Sequence, residues 1–196
     1  MKQETFDRIR FSVARERDAL TMLCEMLDRE TFEKTVDLLM KSTLTITSAC
    51  GSSSFATRKF AHSLCCVECP AKFIPPSDAV HGGMGALKEG NLLILVSKGG
   101  KTDELIPMAE IAKKKKANII VITANPDAAL GAYADVVIPL PIIEESDRYG
   151  VMSTASFAAT VAIFDALMVG LMEEKDYALS EFALIHPGGA VGKRIN

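Results

Sequence analysis

Short runs of aliphatic residues alternate with longer segments of helical periodicity along most of this chain. The clearest run is Leu92–Val96, where five consecutive aliphatic residues precede Ser97 and two glycines. An unbroken apolar run of this length is typical of a strand buried on both faces, as in a parallel sheet covered by helices. Because such runs alternate with helical segments, the pattern predicts right-handed βαβ crossovers. The other predicted strands are residues 44–49, 71–75, 118–123 and 135–140.

Helical periodicity is clearest at the two ends of the chain. Residues 4–41 carry apolar positions at helical spacing with charges between them, which predicts an N-terminal helical arm. We expect the apolar stripe of this arm to pack partly on a second subunit. Residues 153–173 are apolar nearly all round, which predicts a central helix. Residues 125–127 are predicted to form a turn that opens a short helix. We expect one domain, residues 1–196, made of N-terminal helices (1–41) and an α/β core with its tail (42–196).

Composition excludes several classes of protein. Hydrophobic residues make up 48% and charged residues 24% of the chain, which argues against disorder. The formal net charge is -3, so nucleic acid and membrane surfaces are not expected partners. No run approaches the ~18 apolar residues of a membrane span, and the charged N-terminus lacks a signal-peptide core. We therefore expect a cytoplasmic protein.

The five cysteines are expected to be reduced thiols in that compartment. Cys65, Cys66 and Cys69 contain one Cys-x-x-Cys pair, which raises the question of a zinc or redox site. No second pair accompanies it, so we interpret these residues as buried cysteines that close a helix, and we expect no metal.

Glycine and hydroxyl residues follow two of the predicted strands. Residues 51–54 follow the first strand and residues 97–102 follow the third. A helix that begins after such a turn presents free N–H groups and the positive end of its dipole, which together bind phosphate well. If the strands are neighbours, both turns lie over one crevice. The alternative is that Thr102 and one of the serines only cap their helices.

Two histidines lie in glycine-rich segments. His81 opens the segment 81–85, and His186 precedes Pro187 and two glycines near the C-terminus. A lone histidine is more often structural than functional, yet the turn residues around His81 argue against burial of its ring in a core.

Several of these segments together resemble the sugar-isomerase (SIS) domain family, and within it the arabinose-5-phosphate isomerase group. The resemblance covers residues 44–193, and its most specific part is the ending HPGGAVGK at residues 186–193. Residues 81–85, 97–104 and 125–126 fall in the expected order and spacing. Many members carry two CBS modules after this point, so the chain resembles the short form that has the SIS domain alone.

The resemblance implies a fold and a set of site residues. The fold would be a three-layer αβα sandwich with a five-stranded parallel sheet of flavodoxin-like type, assembled as a homodimer or homotetramer. His186 would reach the site of a neighbouring subunit. The implied catalytic residues are Glu145, His186, Glu104 and His81. The implied phosphate-binding residues are Ser52, Ser53, Ser97 and Thr102, with Ser153 and Thr154 beside them at the long helix.

The implied activity is aldose–ketose isomerisation of a sugar phosphate, which moves a proton between C1 and C2 through a cis-enediol and needs no cofactor. Glu145 would be the base, with a pKa raised by desolvation, and His186 would open the sugar ring or shuttle protons. Glu104 and His81 would orient hydroxyls. From the residues alone, Glu145 also fits a solvated charge run and Glu104 a helix-start acid.

Three departures from the family pattern, above all Ser52, keep other functions open. Ser52 stands where the family usually carries a lysine, Gly99 replaces a usual serine and Lys98 a usual asparagine. Lys98 or Lys101 would then supply the positive charge. The competing interpretation is a SIS domain that senses a phosphosugar without converting it. A 6-phospho-3-hexulose isomerase would share the fold but lacks the His-Pro-Gly-Gly tail.

Overall fold

The computed structural model describes residues 1–195. Within this range five parallel strands form one sheet with the order β2-β1-β3-β4-β5. This order confirms the predicted α/β fold with a parallel, flavodoxin-like sheet. Thr45 pairs with Leu92, and Leu92 pairs with Asn118, so the three central strands begin in step. The strands are β1 (Thr45–Ala49), β2 (Ala71–Phe73), β3 (Leu92–Val96), β4 (Asn118–Thr123) and β5 (Val136–Pro139).

Helices cover both faces of the sheet and complete the predicted three layers. Helices α1, α2, α3 and α6 pack on one face, and α5 packs on the other with short helical turns. The α-helices are α1 (Gln3–Met26), α2 (Arg29–Lys41), α3 (Ser53–Cys65), α4 (Pro76–Ala79), α5 (Ile106–Lys114), α6 (Ala155–Glu174), α7 (Leu179–Ile185) and α8 (Gly189–Ile195).

The central strand β3 shows why an unbroken apolar run was the right signal. Its side chains alternate between two cores: Leu92 and Ile94 enter the core under α3 and α6, whereas Leu93 and Leu95 enter the core under α5. All positions of β3 are buried. Both faces of this strand therefore have to be apolar, and the carboxyl ends of β1 and β3 are held firmly side by side.

Helix α6 is the long apolar helix that the sequence predicted. It packs against α1, α2 and α3, and the ring of its Phe164 stacks on Phe60 of α3 at 4.2 Å between centroids. With a mean hydropathy of 1.9 it is long and apolar enough to cross a membrane by length and composition, contrary to the expectation from the sequence. Half of that apolar window is buried inside the protein, so this one helix is weak evidence for a membrane span.

Two local predictions differ from the structure. After residues 125–127 the chain forms turns and a 3-10 helix, Gly131–Tyr133, because the Leu130 N–H donates to the Gly100 carbonyl and draws the segment onto the β3 loop. The glycine-rich tail, for which the sequence analysis predicted no element, forms α7 and α8, and His186 lies between them. The N-terminal arm is helical as predicted, divided into α1 and α2 at Asp28, which caps α2 by accepting from the Thr31 N–H at 2.8 Å.

Candidate active site

The two polar turns lie side by side at the carboxyl edge of the sheet. Ala49 and Val96, the last residues of β1 and β3, are paired across the ladder, so the turns that follow them are neighbours. Ser97 is buried, and its hydroxyl lies 2.7 Å from the Thr102 hydroxyl. The loop between them depends on Gly100, whose φ of +68° favours glycine. The sequence prediction that these turns share one crevice is consistent with this pairing.

Neither turn uses its hydroxyls as ordinary helix caps. Thr102 precedes a 3-10 helix, Asp103–Leu105, and makes no side-chain capping bond there. Ser52 occupies the N-cap of α3 in a helical conformation and also makes no side-chain capping bond, while Ser53 begins the helix half-buried. The hydroxyls of both turns are therefore not committed to capping, although Thr102 is paired with Ser97.

Glu145 is the most elaborately bound side chain in this region. Only 6% of the residue is exposed. Its Oε1 accepts from Lys98 Nζ at 2.6 Å and from the Ser156 hydroxyl. Its Oε2 accepts from the Thr154 N–H at 2.9 Å, the Thr154 hydroxyl at 3.1 Å and the Ser156 N–H at 3.2 Å. The carboxylate thus sits at the N-terminus of α6, where backbone donors and the helix dipole favour an anion.

These donors reverse the pKa shift that the sequence predicted for Glu145. Burial raises the pKa of this carboxyl. The hydrogen bonds from Lys98, Ser156 and Thr154 lower it by more than burial raises it, so the pKa is about 2. The expectation of a raised pKa is therefore wrong for this structure. The predicted shift followed from burial alone and left out the hydrogen-bond donors. These donors lie 47 residues before and about ten residues after Glu145 in the sequence.

The Glu145 carboxylate occupies the N-terminus of α6. Two residues that were predicted to bind phosphate therefore lie beside this carboxylate. Thr154 donates both its N–H and its hydroxyl to Glu145, and it accepts from Ser146. The Ser153 hydroxyl lies 3.3 Å from that of Ser156. Both residues therefore belong to the shell around Glu145 in this structure.

A cavity of about 680 Å³ opens beside Glu145 and Lys98. One wall is the segment 142–150, which is ordered by Asp147: its carboxylate accepts from the backbone N–H groups of Tyr149, Val151 and Met152. Arg8 and Phe11 of α1 also line the cavity, although the sequence predicted only packing for this helix. Besides Lys98 and Glu145, the charged residues that line the cavity are Arg8, Glu144, Asp147 and Arg148.

Glu104 and His81 lie at different places along the sheet edge. Glu104 is exposed in the 3-10 helix after Thr102, close enough to the end of β1 that its charge adds to burial in raising the pKa of the Cys50 thiol. It therefore faces the turn that carries Ser52. His81 lines a separate cavity beside the edge strand β2, together with Lys72 and Asp78. The chain does not bring His81 into the cavity of Glu145.

His186 lies between α7 and α8. Its ring stacks on Phe182 at 3.8 Å between centroids, and its Nδ1 lies 3.0 Å from the Phe182 carbonyl oxygen. Among the described residues that line the Glu145 cavity, His186 is not present.

The cysteine cluster holds one buried member rather than three. Cys69 is buried, whereas Cys65 is exposed and Cys66 is half-buried. The Cys66 thiol lies 3.6 Å from His62 Nε2. Over residues 1–195, no group of three or more His, Cys, Asp or Glu side chains is arranged to hold a metal ion.

Comparison with known proteins places the fold and the site in context. The family model described as SIS domain matches residues 38–170. The chain is 32% identical over 188 residues to arabinose 5-phosphate isomerase KpsF of Escherichia coli, a match that covers 95% of this chain and 58% of the relative. The chain therefore spans less than two thirds of the length of the curated relatives that it matches.

Solved structures give the same picture. A Listeria monocytogenes protein described as a sugar-phosphate isomerase superposes with a TM-score of 0.90 at 39% identity, over 96% of this chain and all of that one. An Escherichia coli CFT073 protein solved in complex with a sugar phosphate superposes with a TM-score of 0.85 at 24% identity, over 95% of this chain and all of that one, and that likeness concerns the fold.

Proposed function

The chain belongs to the SIS domain family, and on that basis we propose that it is a phosphosugar aldose–ketose isomerase of the arabinose-5-phosphate/ribulose-5-phosphate type. The observation that carries the proposal is the Glu145 carboxylate, which is buried beside Lys98 at a cavity on the carboxyl edge of the sheet. Ligands of open α/β sheets bind at this edge. The name of the curated relative KpsF supports arabinose 5-phosphate as the substrate.

The proposed reaction moves one proton between C1 and C2 of the open-chain sugar. Glu145 removes the proton and returns it to the neighbouring carbon of the cis-enediol. His186 opens the sugar ring or shuttles protons between oxygens, supplied by a neighbouring subunit of a homodimer or homotetramer. Glu104 orients hydroxyl groups, whereas His81, which lines a separate cavity of the same copy, would take this role from a neighbouring subunit. No organic cofactor or metal takes part in this scheme.

The phosphate group would be held at the paired turns after β1 and β3. Ser52 and Ser53 would donate from the first turn, and Ser97 and Thr102 from the second. Ser153 and Thr154 would contribute through the end of α6, where they now surround Glu145. We also expect the enzyme to work in the cytoplasm.

Proton exchange with solvent tests the role of Glu145 directly. Wild type, Glu145→Gln and the control Glu144→Gln are incubated with arabinose 5-phosphate in D2O, and NMR follows loss of the C2 proton. Glu144 lines the same cavity and is exposed, so its variant controls for the change in charge. We expect Glu145→Gln to lose at least about 100-fold in exchange rate, the scale of general-base catalysis, and Glu144→Gln to stay within about threefold of wild type. Equal exchange by wild type and Glu145→Gln would show that another group is the base.

Two observations favour a second candidate function, a SIS domain that binds a phosphosugar without converting it. The turn after β1 carries Ser52 in place of a cation, and Glu145 is already neutralised by Lys98. Thermal unfolding followed in the presence of a panel of sugar phosphates identifies the ligands, and a coupled isomerase assay on those ligands separates the functions. For a sensor, the ligand raises the melting temperature of the protein, but the coupled assay detects no conversion of that ligand.

A further inference from the structure

We propose that Lys98 is a catalytic residue of this site: its ammonium group stabilises the negative charge that forms on the substrate oxygen when the proton leaves the neighbouring carbon. The proposal rests on the proposed isomerase function and adds the electrophile that the reaction needs. It assigns Lys98 a role in the chemical step, separate from the phosphate-binding hydroxyls.

The geometry of the Lys98–Glu145 pair supports this role. Lys98 Nζ lies 2.6 Å from Glu145 Oε1, yet 44% of the lysine side chain is exposed, against 4% for the glutamate. An ammonium group has three N–H donors, and one of them is given to the carboxylate. Because Lys98 lines the cavity, a bound molecule can accept from the same nitrogen.

The backbone of Lys98 is fixed from the neighbouring strand. Its carbonyl oxygen accepts from the Ala124 N–H at 3.0 Å and from the Thr123 hydroxyl at 3.2 Å, both at the end of β4. The stem of the side chain therefore starts from a defined point beside Ser97. The turn after β1, residues 50–54, contains no lysine, arginine or histidine, so the β3 turn supplies the cation to this part of the edge.

The chemical step balances around this pair. The Glu145 carboxylate takes the proton from the carbon next to the carbonyl, and the electrons of that C–H bond form the C=C bond of the enediol. The π electrons of the carbonyl move onto its oxygen, which becomes an oxyanion. Glu145 becomes neutral as the oxyanion forms, so Lys98 exchanges one anionic partner for another. Stabilisation of charge that develops in the transition state is the largest electrostatic contribution available to such a site.

This exchange also reconciles the weak basicity of Glu145 with its role. The Lys98 ammonium group lowers the pKa of the carboxyl and so makes Glu145 a weaker base. The same ammonium group stabilises the oxyanion that proton transfer produces, which offsets the weaker basicity. The other charged groups that face this pair are Arg8 from α1 and Glu144, Asp147 and Arg148 from the segment 142–150. Among the residues that the structure describes, Lys98 alone forms an ion pair with Glu145.

Three variants test the proposal: Lys98→Met, Lys98→Arg and the control Lys114→Met, in which an exposed lysine at the end of α5 is changed. We expect Lys98→Met to lose about 100-fold or more in kcat on arabinose 5-phosphate with KM changed less than about fivefold, as for removal of an oxyanion donor. Lys98→Arg keeps the charge and recovers at least about tenfold of that loss. Lys114→Met stays within about twofold of wild type.

The pH profile of kcat separates a catalytic from a structural role. Without Lys98 the pKa of Glu145 rises, so the acid limb of Lys98→Met moves to higher pH by about one unit, whereas a merely loosened fold lowers kcat equally at all pH values. If wild type is active and Lys98→Met keeps both its kcat and its acid limb unchanged, the Lys98 proposal is overturned while the isomerase function stands. A wild type that neither converts nor exchanges any sugar phosphate overturns the isomerase function, and the Lys98 proposal with it.

Discussion

Glu145 couples the stability of the fold to pH through one buried carboxylate. Its folded-state pKa of about 2 lies below the ordinary value of 4.5, so it stabilises the fold fully above pH 4.5 and loses this contribution as pH falls towards 2. Between pH 7 and pH 3 we expect the loss from this group to be about 2 kcal/mol.

Urea unfolding of wild type and Glu145→Gln at both pH values measures the difference. Other carboxylates titrate in both proteins, so only the excess loss in wild type reports on Glu145. If the two proteins lose the same free energy of unfolding on acidification, the hydrogen-bonded shell around the carboxylate is not formed in solution.

Gly100 is the residue that shapes the turn carrying Lys98. A Cβ at this position would lie 2.7 Å from both Ala128 Cβ and the Asn125 carbonyl oxygen, and its φ of +68° disfavours alanine. Gly99 has no such constraint, since a Cβ there would meet its nearest neighbour at 4.0 Å. We expect Gly100→Ala to lower the free energy of unfolding by about 2 kcal/mol or more and Gly99→Ala to change it by less than about 0.5 kcal/mol, measured by urea titration. A similar effect of both variants would contradict the close packing of the turn.

At the scale of elements, the contact between α3 and α6 holds the helical layer that supports the Glu145 shell. Phe60 is fully buried and stacks on Phe164, whereas Phe55 of the same helix is 68% exposed. Phe60→Ala should cost about 3–5 kcal/mol in the free energy of unfolding, because it leaves a cavity under α6. Phe55→Ala is the matched control and should cost less than about 0.5 kcal/mol. Chemical denaturation checks both, and comparable losses would show that the stack carries little of the packing energy.

The elements were predictable where one physical rule decided them. Leu92–Val96 had to be apolar on every side chain because both faces are covered, and the alternation with helices then required a parallel sheet. The segment after residue 125 was not predictable from its own sequence, because its contact with the Gly100 carbonyl decides its conformation. The same holds for the tail, where the glycines of residues 188–192 lie in or beside α8.

The position of the site at one edge of the sheet was predictable from the sequence, but the pairing of its charged side chains was not. Both polar turns could be assigned to one edge, because parallel neighbours end together. The bond from Lys98 to Glu145 joins residues 47 apart, and no periodicity or spacing indicates such a contact. The sequence analysis did not identify Ser156, whose N–H and hydroxyl both donate to Glu145, because the two residues lie eleven apart and no spacing rule connects them.

At the scale of the whole molecule, apolar side chains remain on the outside of the helical layer. Val13 of α1 and Val169 of α6 are 66% and 61% exposed, and Leu184 of α7 is 78% exposed. Exposed apolar side chains are enriched at protein interfaces. Their exposure supports the proposed homo-oligomer.

Subunit complementation tests whether His186 acts across an interface. Glu145→Gln and His186→Ala are each expected to be inactive as pure proteins. If each site combines Glu145 of one copy with His186 of another, a mixed dimer holds one intact site and one doubly altered site. Random mixing of equal amounts makes half of the dimers mixed, so unfolding and refolding the two variants together should restore about a quarter of wild-type isomerase activity. The variants refolded separately and then assayed together without subunit exchange are the control. Activity that stays absent in the co-refolded sample, while light scattering shows a dimer, would place Glu145 and His186 of the same copy in one site.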